Sequence, residues 1–227
     1  FDQTEMQTLG QRWRLTEPGL LFKSYPVCSA AHALIEQTVA LVDEARCNAD
    51  AIERIVCEVP KLVGISLIYD EPATAQEMQF SVPFAVACAV LHRGVRLEDI
   101  GLDALKDPAI RSMMGRTEKR VDPKLSTEEM RIEFPESARV TICLRDGRQL
   151  SGFCGAAYGM PQCPLSDDAL KAKFCNCLVF AGHTHDFAAG QADTLLNPEA
   201  GQKADFCRVV QETFDVPDAV TSQTRSF

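Results

Sequence analysis

Apolar and polar positions along the chain alternate in patterns that predict a series of helices and strands. Between residues 29 and 46, Leu34, Ile35, Val39, Leu41 and Val42 recur at helical spacing, with Ser29 as the cap. Residues 51–60, AIERIVCEVP, are rich in β-branched side chains and stop at Pro60, which predicts a strand. Thr74-Ala75-Gln76-Glu77 reads as a capping box that opens a helix to about His92. That helix is apolar nearly all round and so is expected to be buried, with a kink at Pro83 and its end at Gly94.

A short helix is expected after Asp107-Pro108, then a strand and loops over residues 118–136, with Glu128-Glu129 as a solvated helix start. RVTICL and RQLSGF are joined through Asp146-Gly147 and predict a hairpin over residues 138–153. After a Gly- and Pro-rich stretch, Ser166 should cap a helix whose first turn holds Asp167 and Asp168, where carboxylates complement the helix dipole. Beyond Gly182 the helical pattern weakens, and residues 204–214 are the best remaining stretch. Residues 1–19 are polar and end in the turn signal Glu17-Pro18-Gly19.

These elements add up to an α+β chain with no internal repeat. Helices on one face of a small antiparallel or mixed sheet, a two-layer sandwich, fit residues 20–155. A mostly helical segment follows over residues 156–227, with the compositional shift near residues 155–164 as the boundary.

Composition narrows the function. The chain is 46% apolar and carries a formal charge of -9, which argues for a sizeable core and against general affinity for nucleic acid or an anionic membrane surface. The longest apolar run, residues 82–91, is far short of the roughly 20 residues that span a bilayer. No secretory signal is visible, and the first residue is Phe1, so the chain reads as a fragment or a processed piece. Ten cysteines form no compact framework and several lie in apolar runs, so they read as reduced core thiols of a cytoplasmic protein.

The stretch FKSYPVCSAAH, residues 22–32, concentrates chemistry at a helix start. Unpaired amides there favour an anion, Lys23 adds a full charge, Tyr25 a phenolic donor and His32 a group that titrates near neutrality. Pro26 restricts the approach to the helix. Together these groups suit a carboxylate-bearing metabolite and offer general acid/base chemistry, with Tyr25 and Ser29 as the substrate-binding candidates. The plain alternative is a surface lysine, a tyrosine packed by its ring and a histidine satisfied within its helix. Cys175-x-Cys177 with His183-x-His185-Asp186 offers metal-ligand types. Residues two apart on a helix point about 200° from one another, however, which argues against one shared ion. No phosphate-binding glycine loop and no Gly-x-Ser-x-Gly elbow is present.

FKSYPVCSAAH is similar to the Lys-x-Tyr-Pro-x-Cys…His segment of the MmgE/PrpD family. Three further segments follow in that family's order: PATAQEMQFSVPFAVACAVLHRG, LKDPAIRSMM with ESARVTICLRDGRQLSGF, and GMPQCPLSDDALKAKF. The family includes 2-methylcitrate dehydratases, cis-aconitate decarboxylases and an iminodisuccinate epimerase. The resemblance implies a C-terminal half: residues 1–19 closing a helical domain, 20–155 the small α+β domain, and 156–227 a return toward the helical part. It also implies a homodimer that works on a small carboxylic acid without metal or organic cofactor. The chemistry implied is proton abstraction next to a carboxylate, and the catalytic roles of Lys23 and His32 rest on this resemblance, since both match the family's motif by position. Where decarboxylase members have a tyrosine, this chain aligns Phe84, which has no hydroxyl and leaves a dehydratase or an epimerase open. Other acid/base groups belong to the N-terminal half, so the chain alone is expected to be inactive. The alternative is a non-catalytic α+β remnant or a partner-binding module.

Overall fold

The computed structural model describes residues 19–196 and, outside them, positions 10, 11, 13, 15–17, 208, 209 and 212. The first helix, α1 (His32–Ala45), follows a single 3-10 turn at Ser29–Ala31. Strand β1 is Ile52–Val59. The helices Lys61–Ser66 (α2), Ala75–Met78 (α3), Val82–His92 (α4) and Pro108–Met114 (α5) then lead to strand β2, Thr117–Val121. Glu128–Glu133 (α6) precedes the hairpin β3 (Ala138–Leu144) and β4 (Gln149–Cys154), and Asp167–Phe180 (α7) and His185–Leu196 (α8) follow.

The strands form one mixed sheet in the order β2-β1-β3-β4, with β1 parallel to β2 and antiparallel to β3. One face is apolar. Ala138, Val140, Ile142 and Leu144 alternate inward along β3, as a half-buried strand requires, and all are buried. A register irregularity between Ile52 and Arg54 lets both Ile52 and Ile55 face that core, since an extra residue re-aims the side chains beyond it. Helices α1 and α4 pack on one another, α1 over β3 and β4 and α4 over β2. The result is the expected α+β sandwich, with the core between sheet and helices.

Two local expectations are corrected. Ser29 does not cap α1: it lies within the 3-10 turn, and Ala31 precedes the α-helix without a side-chain cap. The long helix from Thr74 to His92 is two helices. Thr74 caps α3 through its hydroxyl, which accepts from the Glu77 amide (3.2 Å), while the Glu77 carboxylate accepts from Ala73 N–H (2.7 Å). Ser81 then caps α4, accepting from Phe84 N–H at 3.2 Å. Pro83 thus stands in the first turn of α4, where its missing N–H costs nothing, so it starts a helix instead of kinking one. Arg93 (φ 61°), one residue before Gly94, makes the left-handed exit of that helix.

The hairpin forms as expected, though only Gly147 (φ 87°) takes a positive φ, so the turn carries a glycine bulge and is not a two-residue primed turn. Ser166 caps α7, accepting from Ala169 N–H (3.2 Å). Of residues 204–214, only 208, 209 and 212 are described, and these are helical; most of residues 1–19 lie outside the description. The nine described cysteines are free, and only Cys57 and Cys88 are buried. No helix among the described residues is long and apolar enough to cross a membrane.

Candidate active site

The segment that bears Lys23 is extended and held from two sides. Phe22 N–H donates to Gly159 O (2.9 Å) and the Ser24 hydroxyl to Tyr158 O (2.8 Å). Gly159 permits this approach: its φ is +98°, and a Cβ there would lie 2.1 Å from Phe22 O. On the other side, Gln79 holds the turn at Pro26, donating from Nε2 to Pro26 O (3.0 Å) and accepting from Cys28 N–H (2.9 Å).

Tyr158 joins this strap to two helices. Its amide donates to both carboxylate oxygens of Glu36 on α1 (2.8 and 3.0 Å), and its hydroxyl accepts from Ser166 N–H (2.8 Å) at the head of α7. Burial raises the pKa of Glu36, and the Tyr158 amide opposes that shift.

The chain turns into α1 at His32, which is 2% exposed. The Tyr25 ring meets the imidazole edge-on, with centroids 5.2 Å apart and planes at 77°. Burial is the main cause that pushes the His32 pKa down to about 4, and the charges of Lys23 and then Lys173 add to it. The backbone carbonyls of Tyr25 and Val27 act in the opposite direction. The ring is therefore neutral at ordinary pH, and its Nε2 is shielded yet has no hydrogen-bond partner. Burial pushes the Tyr25 phenol up to about 12, so it remains a donor.

Tyr25 also borders a groove of about 610 Å³ between the loop after α4 and helix α7, where Arg93, Arg96, Lys173, Asn176 and His185 face it as well. Lys173 was not singled out by the sequence, because it lies on α7, far along the chain from Lys23. Of the four predicted residues, Tyr25 and His32 are in ring contact and the charge of Lys23 acts on His32, while Tyr25 alone of these three lines the groove. Ser29 does not join them, since its hydroxyl donates to Glu136 Oε1 at 3.1 Å.

Phe84 is fully buried in the core and lines none of the three grooves found. The Cys175, Cys177, His183, His185 and Asp186 set does not converge on a common point among the described residues; His183 instead stacks on Phe187 at 4.6 Å.

The fold is thus a two-layer α+β domain with a neutral histidine and a phenol at the head of α1, within the field of Lys23 and, from α7, of Lys173. More specifically, the chain belongs to the MmgE/PrpD family, matching its C-terminal domain over residues 25–191. It is 24% identical to the mouse (Mus musculus) cis-aconitate decarboxylase over 170 residues, covering 71% of this chain and 33% of that protein. It is 21% identical to the human (Homo sapiens) cis-aconitate decarboxylase over 167 residues, covering 71% of this chain and 34% of that protein. The chain spans about a third of the length of the curated relatives it matches.

Proposed function

We propose that this chain supplies the carboxylate-binding side of a lyase site for a di- or tricarboxylic acid, with proton abstraction next to a carboxylate as the reaction. The observation that supports this best is His32: buried, uncharged, its Nε2 without a partner, beneath Tyr25 and within the field of Lys23 and Lys173. The lysines bind substrate carboxylates and stabilise the enolate-like charge that grows as the proton leaves. Tyr25 donates a hydrogen bond, and His32 Nε2 accepts or returns a proton.

A pKa of about 4 makes a free His32 a weak base. A bound carboxylate offsets the two lysine charges and raises the basicity of the imidazole, so the base is strengthened by the substrate it acts on. Because burial is the larger cause, the rise is partial.

The remaining acid/base groups come from the part of the relatives that this chain does not match, and the reading places the working enzyme in the cytoplasm as a homodimer. Dehydration of a 2-methylcitrate-like acid is the favoured reaction; epimerisation and decarboxylation are its competitors. The test is the 227-residue chain alone and co-expressed with an N-terminal MmgE/PrpD half, assayed on 2-methylcitrate and cis-aconitate. Turnover only in the assembled form, lost in Lys23→Ala and His32→Gln, is the expected result. Turnover by the chain alone refutes the half-site reading. A melting temperature that citrate-like acids leave unchanged in the assembled form favours a non-catalytic module.

A further inference from the structure

At the C-terminal end of α4, Cys88 and His92 are four residues apart and therefore share a helix face. The 3-10 turn Leu97–Asp99 folds Asp99 back against them. One ligand atom from each of the three lies within 4.8 Å of the other two. Cys88 is fully buried and Asp99 is 4% exposed. His92 Nδ1 is shielded and lies 3.0 Å from Asp99 Oδ1, yet it makes no hydrogen bond. The two atoms are in ion-pair contact without the alignment of a hydrogen bond. Neither Lys23 nor His32 takes part in this cluster.

We propose that Cys88 Sγ, His92 Nδ1 and Asp99 Oδ1 form a three-ligand site for a divalent transition-metal ion, zinc by its ligand set, with the fourth position toward the groove. Thiolate, imidazole and carboxylate are the three ligand types that zinc takes, and two anionic ligands offset the charge of the ion. The Cys88 thiol proton leaves to solvent as the sulfur binds, and no redox step is involved.

Arg96 is the natural objection, since Nη2 donates to Asp99 Oδ1 (2.9 Å) and Nε to Oδ2 (3.3 Å). A carboxylate oxygen has two lone pairs, however, so the Arg96 bond on Oδ1 leaves one for an ion. With the Arg96 backbone amide on Oδ2 (2.8 Å), the guanidinium fixes the carboxylate in a ligating pose. The side chain is 57% exposed, so solvent screens its charge. His92 and Arg96 border the groove, which gives an ion its entry path. A nucleophilic reading of the same three residues fails because Cys88 is fully buried.

The ion would tie the end of α4 to the loop that walls the groove, a structural role separate from the lyase reading. The test is titration of the metal-free 227-residue chain with Co²⁺, followed by displacement with Zn²⁺. The expected result is one Co²⁺ per chain with a thiolate-to-cobalt charge-transfer band. That band should be absent in Cys88→Ser, which far-UV circular dichroism shows to be folded, and retained in Cys177→Ser. In His92→Ala, affinity should fall at least about tenfold. Zinc should raise the melting temperature of the wild-type chain and raise that of His92→Ala by less. No band in the folded wild-type chain, or a band that survives Cys88→Ser, overturns the site.

Discussion

Acidification should destabilise this chain through His32 by an amount that follows from its surroundings. The imidazole is 2% exposed, and its pKa falls from the ordinary 6.5 to about 4 in the folded state. Above pH 6.5 both folded and unfolded forms hold it neutral, and its charge contributes nothing to the difference. As pH falls through 6.5 the unfolded chain takes up a proton that the folded chain refuses, so stability declines until about pH 4, where the folded form also protonates. Each pH unit in that window is worth about 1.4 kcal/mol. Between pH 7.5 and 5.5 the loss should reach about 1 kcal/mol, and by pH 4 about 3 kcal/mol. Urea unfolding of wild type and His32→Gln across pH 7.5 to 4.5 isolates the effect, because the carboxylates that titrate in the same range are common to both. The wild-type curve should fall more steeply than that of the variant. Parallel curves would refute the buried, neutral histidine, and with it the base proposed for the site.

Lys23→Met and Lys173→Met should each raise the His32 pKa, Lys23→Met by more, as followed by imidazole proton shifts in NMR. Gly159→Ala should destabilise the chain by about 2–4 kcal/mol in urea, since it combines a disfavoured φ with loss of the Phe22 hydrogen bond. It should also release Lys23, so the His32 pKa should rise in the same variant. Phe84→Tyr buries a hydroxyl with no partner in the core and should cost about 1–3 kcal/mol without restoring decarboxylation in the assembled enzyme.

The elements with strong local signals were legible: the period of α1, the alternation of β3, the Asp146-Gly147 turn and the Ser166 cap. Between α3 and α4 one apolar run hid a break, although Ser81 two residues before Pro83 is itself a helix-start signal. Strand β2, TEKRV, is a polar edge strand, and nothing in its pattern announces a parallel pairing with β1. Among the candidate residues, Lys23, Tyr25 and His32 stand out in the sequence because they are neighbours in the chain. Lys173 and the strap at Tyr158 do not, because only the folded chain brings α7 to the head of α1. Cys88 and His92 shared a helix face from the outset, but Asp99 joins them only through a 3-10 turn that the sequence does not spell out.

The strap that holds Lys23 comes from residues 134 positions later in the chain, through Ser24 and Tyr158. A growing polypeptide therefore exposes FKSYPVCSAAH long before it owns the turn that holds it. Synthesis through β4 completes the sheet but neither the core, which still lacks Ala157, nor the strap, because Tyr158 and Gly159 follow β4. A nascent chain exposed only through β4 would hold Lys23 without its strap, and the next few residues to emerge would seat it. The topology thus sets an order: FKSYPVCSAAH emerges well before the residues that hold it in place.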